Sequence, residues 1–165
     1  MDVAKLREHA AIYVAKISKP TPQMAETMEE RASRVAYYRG WTADRLRAMS
    51  AENLLEYLSK LWAMLIWGNK QYVVDKLVAD HGLVVVREEL ANLIWADAPI
   101  EQRWDRFRKT IKGMGPAMMS ELLAHVHSDR FLLWNRRAFV GLDYLGVKGL
   151  PRYNYQLTGA KYAAL

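Results

Sequence analysis

The chain has 165 residues, 52% of them hydrophobic and 25% charged, which fits one soluble globular domain with a full core. The absence of cysteine excludes disulfides, thiolate zinc sites and iron–sulfur clusters, and no apolar run reaches the length of a membrane span. The net charge of +6 is one-sided: residues 1–98 carry 13 Lys and Arg against 13 Asp and Glu, whereas residues 99–165 carry 11 against 5. Such an excess on one part of a chain favours a polyanionic partner, nucleic acid first. The segment Met1 to Glu8 has no signal-peptide pattern, so a cytoplasmic location is expected.

Periodicity predicts helices throughout. The first runs from Asp2 to about Ile17, with Leu6, Ala10, Tyr13 and Val14 on one side, and ends at Ser18–Pro22. A second covers about Met24 to Tyr38, with Met28, Val35 and Tyr38 facing inward, and stops at Gly40. Thr42 and Ser50 have the chemistry of N-caps for two following helices. The apolar stretch from Leu54 to Met64, continuing into Leu65-Ile66-Trp67, predicts a central buried helix ending near Gly68. Helices over Tyr72–Ala79, closed by His81-Gly82, and over Leu83–Trp95 follow. Val84-Val85-Val86 could pair as a strand, but Val86, Leu90, Leu93 and Ile94 keep a helical period. No hairpin pattern is present, and the chain reads as an all-α helical bundle in a single domain, residues 1–165. The Gly-, Pro- and Tyr-rich tail from Pro151 starts another helix and stops, which fits a natural end or, the preferred reading, a domain cut from a longer protein.

The most informative stretch is Ile111 to Ala124. Trp104, Phe107 and Ile111 mark one face of a helix that Gly113 and Gly115 interrupt, and Pro116 suits the first turn of the next. Met119, Leu122, Leu123 and Val126 supply that second helix with a buried stripe. A turn of this kind aims free backbone N–H groups outward beside a helix N-terminus, an arrangement that suits phosphate. An ordinary helix–helix turn has the same letters. Basic residues crowd it: Arg103, Arg106, Arg108, Lys109 and Lys112 come before, and Arg130, Arg136 and Arg137 after.

The run Ile111 to Leu123 resembles the helix–hairpin–helix of the DNA glycosylases related to endonuclease III, with the motif spanning about residues 100–126. In that superfamily the hairpin holds the DNA backbone and a catalytic Asp opens a helix about two dozen residues later. The corresponding position here is Asn135. Lyase members carry a Lys two residues after the second glycine, where this chain has Ala117. Leu61 to Asn69 is similar to the family's buried helix that ends in a residue wedged into the duplex, which would be Asn69. The resemblance implies a glycosylase-like fold over roughly residues 50–146, with Lys112, Gly113, Gly115, Arg108, Lys109, Arg136 and Arg137 on the DNA backbone. Trp67, Trp134, Asn135 and Asn69 would then form the base pocket or wedge.

Both departures bear on chemistry. Excision builds positive charge on the sugar, which a carboxylate stabilises and an amide does not. The words Trp67-Gly68-Asn69-Lys70, Lys112-Gly113-Met114-Gly115-Pro116-Ala117 and Leu133-Trp134-Asn135-Arg136-Arg137 are also similar to DNA-binding regions ahead of AAA+ motor domains in modification-dependent restriction systems of the McrBC type. That similarity implies a motor and a nuclease subunit as partners, since the chain has no Walker A loop of its own. The expected function is a non-catalytic module that binds double-stranded DNA and reads a modified base by flipping it, without cofactor or metal. His125 and His127, two apart, lie on different helix faces and do not make a metal site. Two alternatives stay open: an active glycosylase using Asp129 or another acid, and a helical interaction protein with no nucleic-acid role.

Overall fold

Glu121 and its neighbours on one helix set the arrangement of the rest. A computed structural model describes residues 1–165, and every regular element in it is helical. The ten α-helices are α1 (Val3–Ser18), α2 (Pro22–Arg39), α3 (Ala43–Ala48), α4 (Ala51–Ser59), α5 (Lys70–His81), α6 (Leu83–Trp95), α7 (Ile100–Thr110), α8 (Pro116–Val126), α9 (Arg136–Tyr144) and α10 (Gly159–Ala163). Short 3-10 turns occupy Trp62–Met64 and Asn154–Gln156. No helix is long and apolar enough to cross a membrane.

Local chemistry starts and stops the helices where the sequence indicates. Thr42 accepts the Arg45 amide at 3.3 Å. Ser50 and Asn53 bond reciprocally in a capping box, each side chain taking the other's amide. The left-handed backbone at Gly82 (φ 81°) separates α5 from α6, so the valine run lies in a helix, with Val86, Leu90, Leu93 and Ile94 buried.

The centre of the core is α8. Nine of its eleven residues are buried, and it packs against α2, α6 and the 3-10 turn at Trp62. This corrects the expectation of one continuous helix from Leu54 towards Gly68. The chain leaves the helix after Ser59 and becomes extended at Leu61 (ψ 137°). The cause is a competing acceptor: Glu121 of α8 takes the amides of Trp62 and Ala63 at 2.6 and 2.9 Å, bonds that an unbroken helix would direct to its own carbonyls. Beyond the 3-10 turn, Leu65, Ile66 and Trp67 are exposed, Ile66 to 85%.

A second correction concerns α1. Its predicted apolar side buries nothing. The helix is held near its N-terminus, where the Asp2 amide donates to the Leu145 carbonyl at 2.7 Å and His9 meets the Tyr144 hydroxyl at 3.3 Å.

The tail after Pro151 belongs to the core. Tyr162 stacks on Trp104 with ring centres 4.1 Å apart, and the Trp104 indole donates to the Leu157 carbonyl at 3.1 Å. Contact this close requires glycine at position 159, where a β-carbon would run into the backbone of Glu101. The Gly159 amide donates to Asp105 at 2.8 Å. Gly159→Ala should therefore push α10 off α7 and lower the unfolding free energy by about 1–3 kcal/mol, as overpacking does. Urea denaturation with an unchanged midpoint would contradict this packing.

Candidate functional site

The turn between α7 and α8 is built from backbone. Ile111 is extended and buried, and the His81 ring accepts the Lys112 amide at 3.0 Å. Gly113 adopts φ 93°, a conformation that favours glycine. Gly115 is extended at φ −87° and caps α8 without a side chain. The amides of Gly113, Gly115 and Ala117 consequently have no acceptor within the chain. Together with the α8 N-terminus they present a patch of positive potential.

Ser120, fully buried one turn further along α8, fixes what lies beside that patch. Its hydroxyl accepts the Trp134 amide at 2.9 Å and lies 3.2 Å from the Trp134 carbonyl. The clip sets Asn135 against α8, where its side-chain oxygen accepts the amides of Arg137 and Ala138 at 2.9 and 3.0 Å and starts α9. The Asn135 side-chain nitrogen makes no hydrogen bond within the chain and remains a free donor on a residue that lines the cleft.

Ala117 and Asn135, far apart in sequence, therefore border the same cleft. Its volume is about 730 Å³, and its walls come from α2 (Thr27, Glu30), the segment Trp62–Ile66, Glu121 of α8, and Leu133 to Ala138. Glu121 is a buried carboxylate with donors on both oxygens, the third being His125 at 3.3 Å. Glu30 at the rim is bound to Arg34 at 2.6 Å. The cleft thus combines an apolar wall, one amide donor, and the guanidinium groups of Arg136 and Arg137. That set suits an anionic, acceptor-rich ligand with a planar apolar part.

The basic residues divide into two groups. Arg103 is buried and donates to the Leu93 and Ile94 carbonyls at the end of α6; burial and the nearby Arg130 charge pull its pKa below the usual arginine range. Arg106 grips Glu89 at 2.7 Å, Arg108 donates to the Leu157 carbonyl, and Lys112 folds back onto the Arg108 carbonyl at 2.8 Å. The three arginines tie separate parts of the fold together, whereas Lys112 is exposed and its contact is local to the turn. Lys109, Arg136 and Arg137 are exposed and take no part in any side-chain hydrogen bond or salt bridge. Arg130 lies over the Phe131 ring at 5.5 Å.

The remaining sequence candidates are spread around the cleft. Trp134 is buried beneath Asn135. Trp67 is half-exposed on the loop beside the cleft. Asn69, also exposed, caps α5 by accepting the Tyr72 amide at 2.9 Å. Asp129 sits on an exposed turn and borders neither this cleft nor the smaller hollow next to it. His125 stacks on Tyr38, and His127 bonds the Ile94 carbonyl at 2.9 Å. Glu121 was missed from sequence. The signal for it was a carboxylate within the otherwise apolar run Met118-Met119-Ser120-Glu121-Leu122-Leu123.

Comparison of the chain with protein families, curated proteins and solved structures finds no match. The cleft itself is open to test. Glu121→Gln can accept only one of the two amides well and turns an NH₂ group towards the other, so stability should fall by about 1–3 kcal/mol. Urea denaturation checks the loss. An unchanged midpoint would mean that the carboxylate does not hold the Trp62 turn.

Proposed function

We propose that this chain is a DNA-binding module of the helix–hairpin–helix, glycosylase-like type that reads a modified base without excising it. The observation that carries the reading is the cleft shared by Ala117 and Asn135, beside a helix N-terminus whose amides are free. The free amides of Gly113, Gly115 and Ala117 take a phosphate of one strand, and Lys109, Arg136 and Arg137 hold its neighbours. Arg108 and Lys112 support the turn from behind through their backbone contacts. An extruded base enters the cleft against Trp62 and Leu65, and the free amide of Asn135 donates to its edge. Trp134 lies outside this cleft and anchors the segment before Asn135 through its bonds to Ser120. The exposed loop from Leu65 to Asn69, which carries Trp67 and ends at Asn69, faces the duplex and fills the gap that the base leaves.

The same geometry argues against excision. A sugar cation needs a nearby negative charge, and a Schiff base needs an amine. Ala117 has a methyl group and Asn135 an amide, both Glu121 oxygens are bound by donors, and Glu30 is paired with Arg34. Recognition without cleavage suits a restriction or defence system in the cytoplasm, in which an AAA+ motor and a nuclease subunit act on the DNA that this module marks.

Two variants test the reading by fluorescence anisotropy on matched duplexes. Replacing Arg136 and Arg137 together by Gln should weaken binding to every duplex alike and lower the salt-dependence slope by about 2, roughly 0.9 per phosphate contact. An unchanged slope would remove both arginines from the interface. Asn135→Ala should cost about 1 kcal/mol more on a modified duplex than on a plain one. Equal losses on both would show that Asn135 does not read the base.

A further inference from the structure

A second hollow of about 180 Å³ shares Ala117, Asn135 and Arg136 with the main cleft, and nothing in the proposed reading uses it. Its floor is apolar: the buried Trp134 meets Phe139 edge to face, with ring centres 6.3 Å apart. Its rim is the segment Pro151–Asn154. There Tyr153 is 58% exposed, and its ring is parallel to that of Tyr155 within 5°, with centres 5.6 Å apart. Tyr155 is more exposed still. Two large rings in offset stacking on the surface leave much of their faces in water, an unfavourable place for apolar area unless something covers it.

Hydrogen bonds brace the backbone of the turn carrying these rings. The Gln156 side-chain oxygen accepts the amides of Arg152 and Tyr153 at 2.9 and 3.2 Å, and the Gln156 amide donates to the Tyr153 carbonyl at 2.9 Å. A backbone braced in this way has less freedom to lose when a ligand stacks on the ring it carries. The charge around the hollow has one sign. Arg136 and Arg152 border it and no carboxylate does; residues 130–165 as a whole contain six Lys and Arg against the single Asp143.

A flat apolar face next to two guanidinium groups, with no acid to repel an anion, matches a nucleotide with its base unpaired. We infer that this hollow and its tyrosine rim bind an unpaired nucleotide, the base stacked on Tyr153 and the phosphate held by Arg136 and Arg152. The nucleotide is a neighbour of the base read at Asn135, so the inference rests on the DNA-binding reading and extends it to the strand beside the flipped position. The stacking is indifferent to base identity, because every base has a π-face.

The test compares the wild-type chain with Tyr153→Ala and Tyr153→Phe, using anisotropy on three probes: a short single-stranded oligothymidylate, an abasic strand of equal length, and a plain duplex. Thermal melts establish that the variants fold; position 153 is exposed, and the melts should coincide. Tyr153→Ala should bind oligothymidylate about tenfold more weakly, the order that one base–aromatic stack carries. Tyr153→Phe should bind it like the wild type, and all three proteins should bind the abasic strand equally. If Tyr153→Ala binds oligothymidylate as the wild type does while the duplex is still bound, the nucleotide site is wrong and the DNA-binding reading survives. If the wild type binds neither strand nor duplex, both fall.

Discussion

The carboxylate of Glu121 connects the most buried helix of the molecule to an exposed loop. Removing a carboxylate from water is costly, and the cost is offset only when donors surround it. Here the donors are two consecutive backbone amides, Trp62 and Ala63, and the ring of His125. The consequences spread outward from those bonds. They end the helix that began at Ala51 and hold the Trp62 turn against α8. The next three residues, Leu65, Ile66 and Trp67, are left in solvent beside the cleft. An apolar residue at position 121 would leave both amides free to continue the helix, and the wall formed by Trp62, Ala63, Leu65 and Ile66 would be lost.

Charge is organised by the same division between structure and surface. The lower half of the chain holds the whole excess of positive charge, yet much of it is committed internally. Arg103, Arg106 and Arg108 are bound to carbonyls or to Glu89, so they fasten α6, α7 and the tail, while the exposed Lys112 makes only a local bond to the Arg108 carbonyl. Among those that remain available are Lys109 before the turn and Arg136 and Arg137 at the start of α9, with Arg152 across the smaller hollow from Arg136. Backbone amides add to this surface at Gly113, Gly115 and Ala117. On the proposed reading, a surface with few free side chains and several fixed dipoles would orient a phosphate as well as attract it.

Much of the fold was legible because helices announce themselves locally. Thr42 and Ser50 cap, Gly82 turns, and Val86, Leu90, Leu93 and Ile94 keep the period that identifies α6 as a helix. The failures have one origin, which is partners distant in sequence. Leu54 to Trp67 has every local property of a long buried helix; its interruption depends on a carboxylate nearly sixty residues away. The α1 stripe has an amphipathic period, but period alone does not supply a surface to pack on. Tail burial rests on Gly159 meeting the Glu101 backbone, a contact invisible in either segment alone. Of the candidate site, the resemblance to the glycosylases singled out Ala117 and Asn135, which border one cleft, and composition counted the basic residues without revealing that Arg106 is neutralised by Glu89. Tyr153 and Arg152 carried no pattern, since their significance lies in facing α9 across a hollow.

The central claim is that a glycosylase-like cleft without excision chemistry reads modified DNA. Its most direct test is anisotropy of the wild-type protein on matched duplexes, unmodified and carrying methylated cytosine or methylated adenine, with the same samples analysed for released base. The account predicts tighter binding to one modified duplex, weakening with salt, and no base release. Base release would contradict it by making the chain an enzyme, and equal binding to all duplexes would remove the modified base from its function.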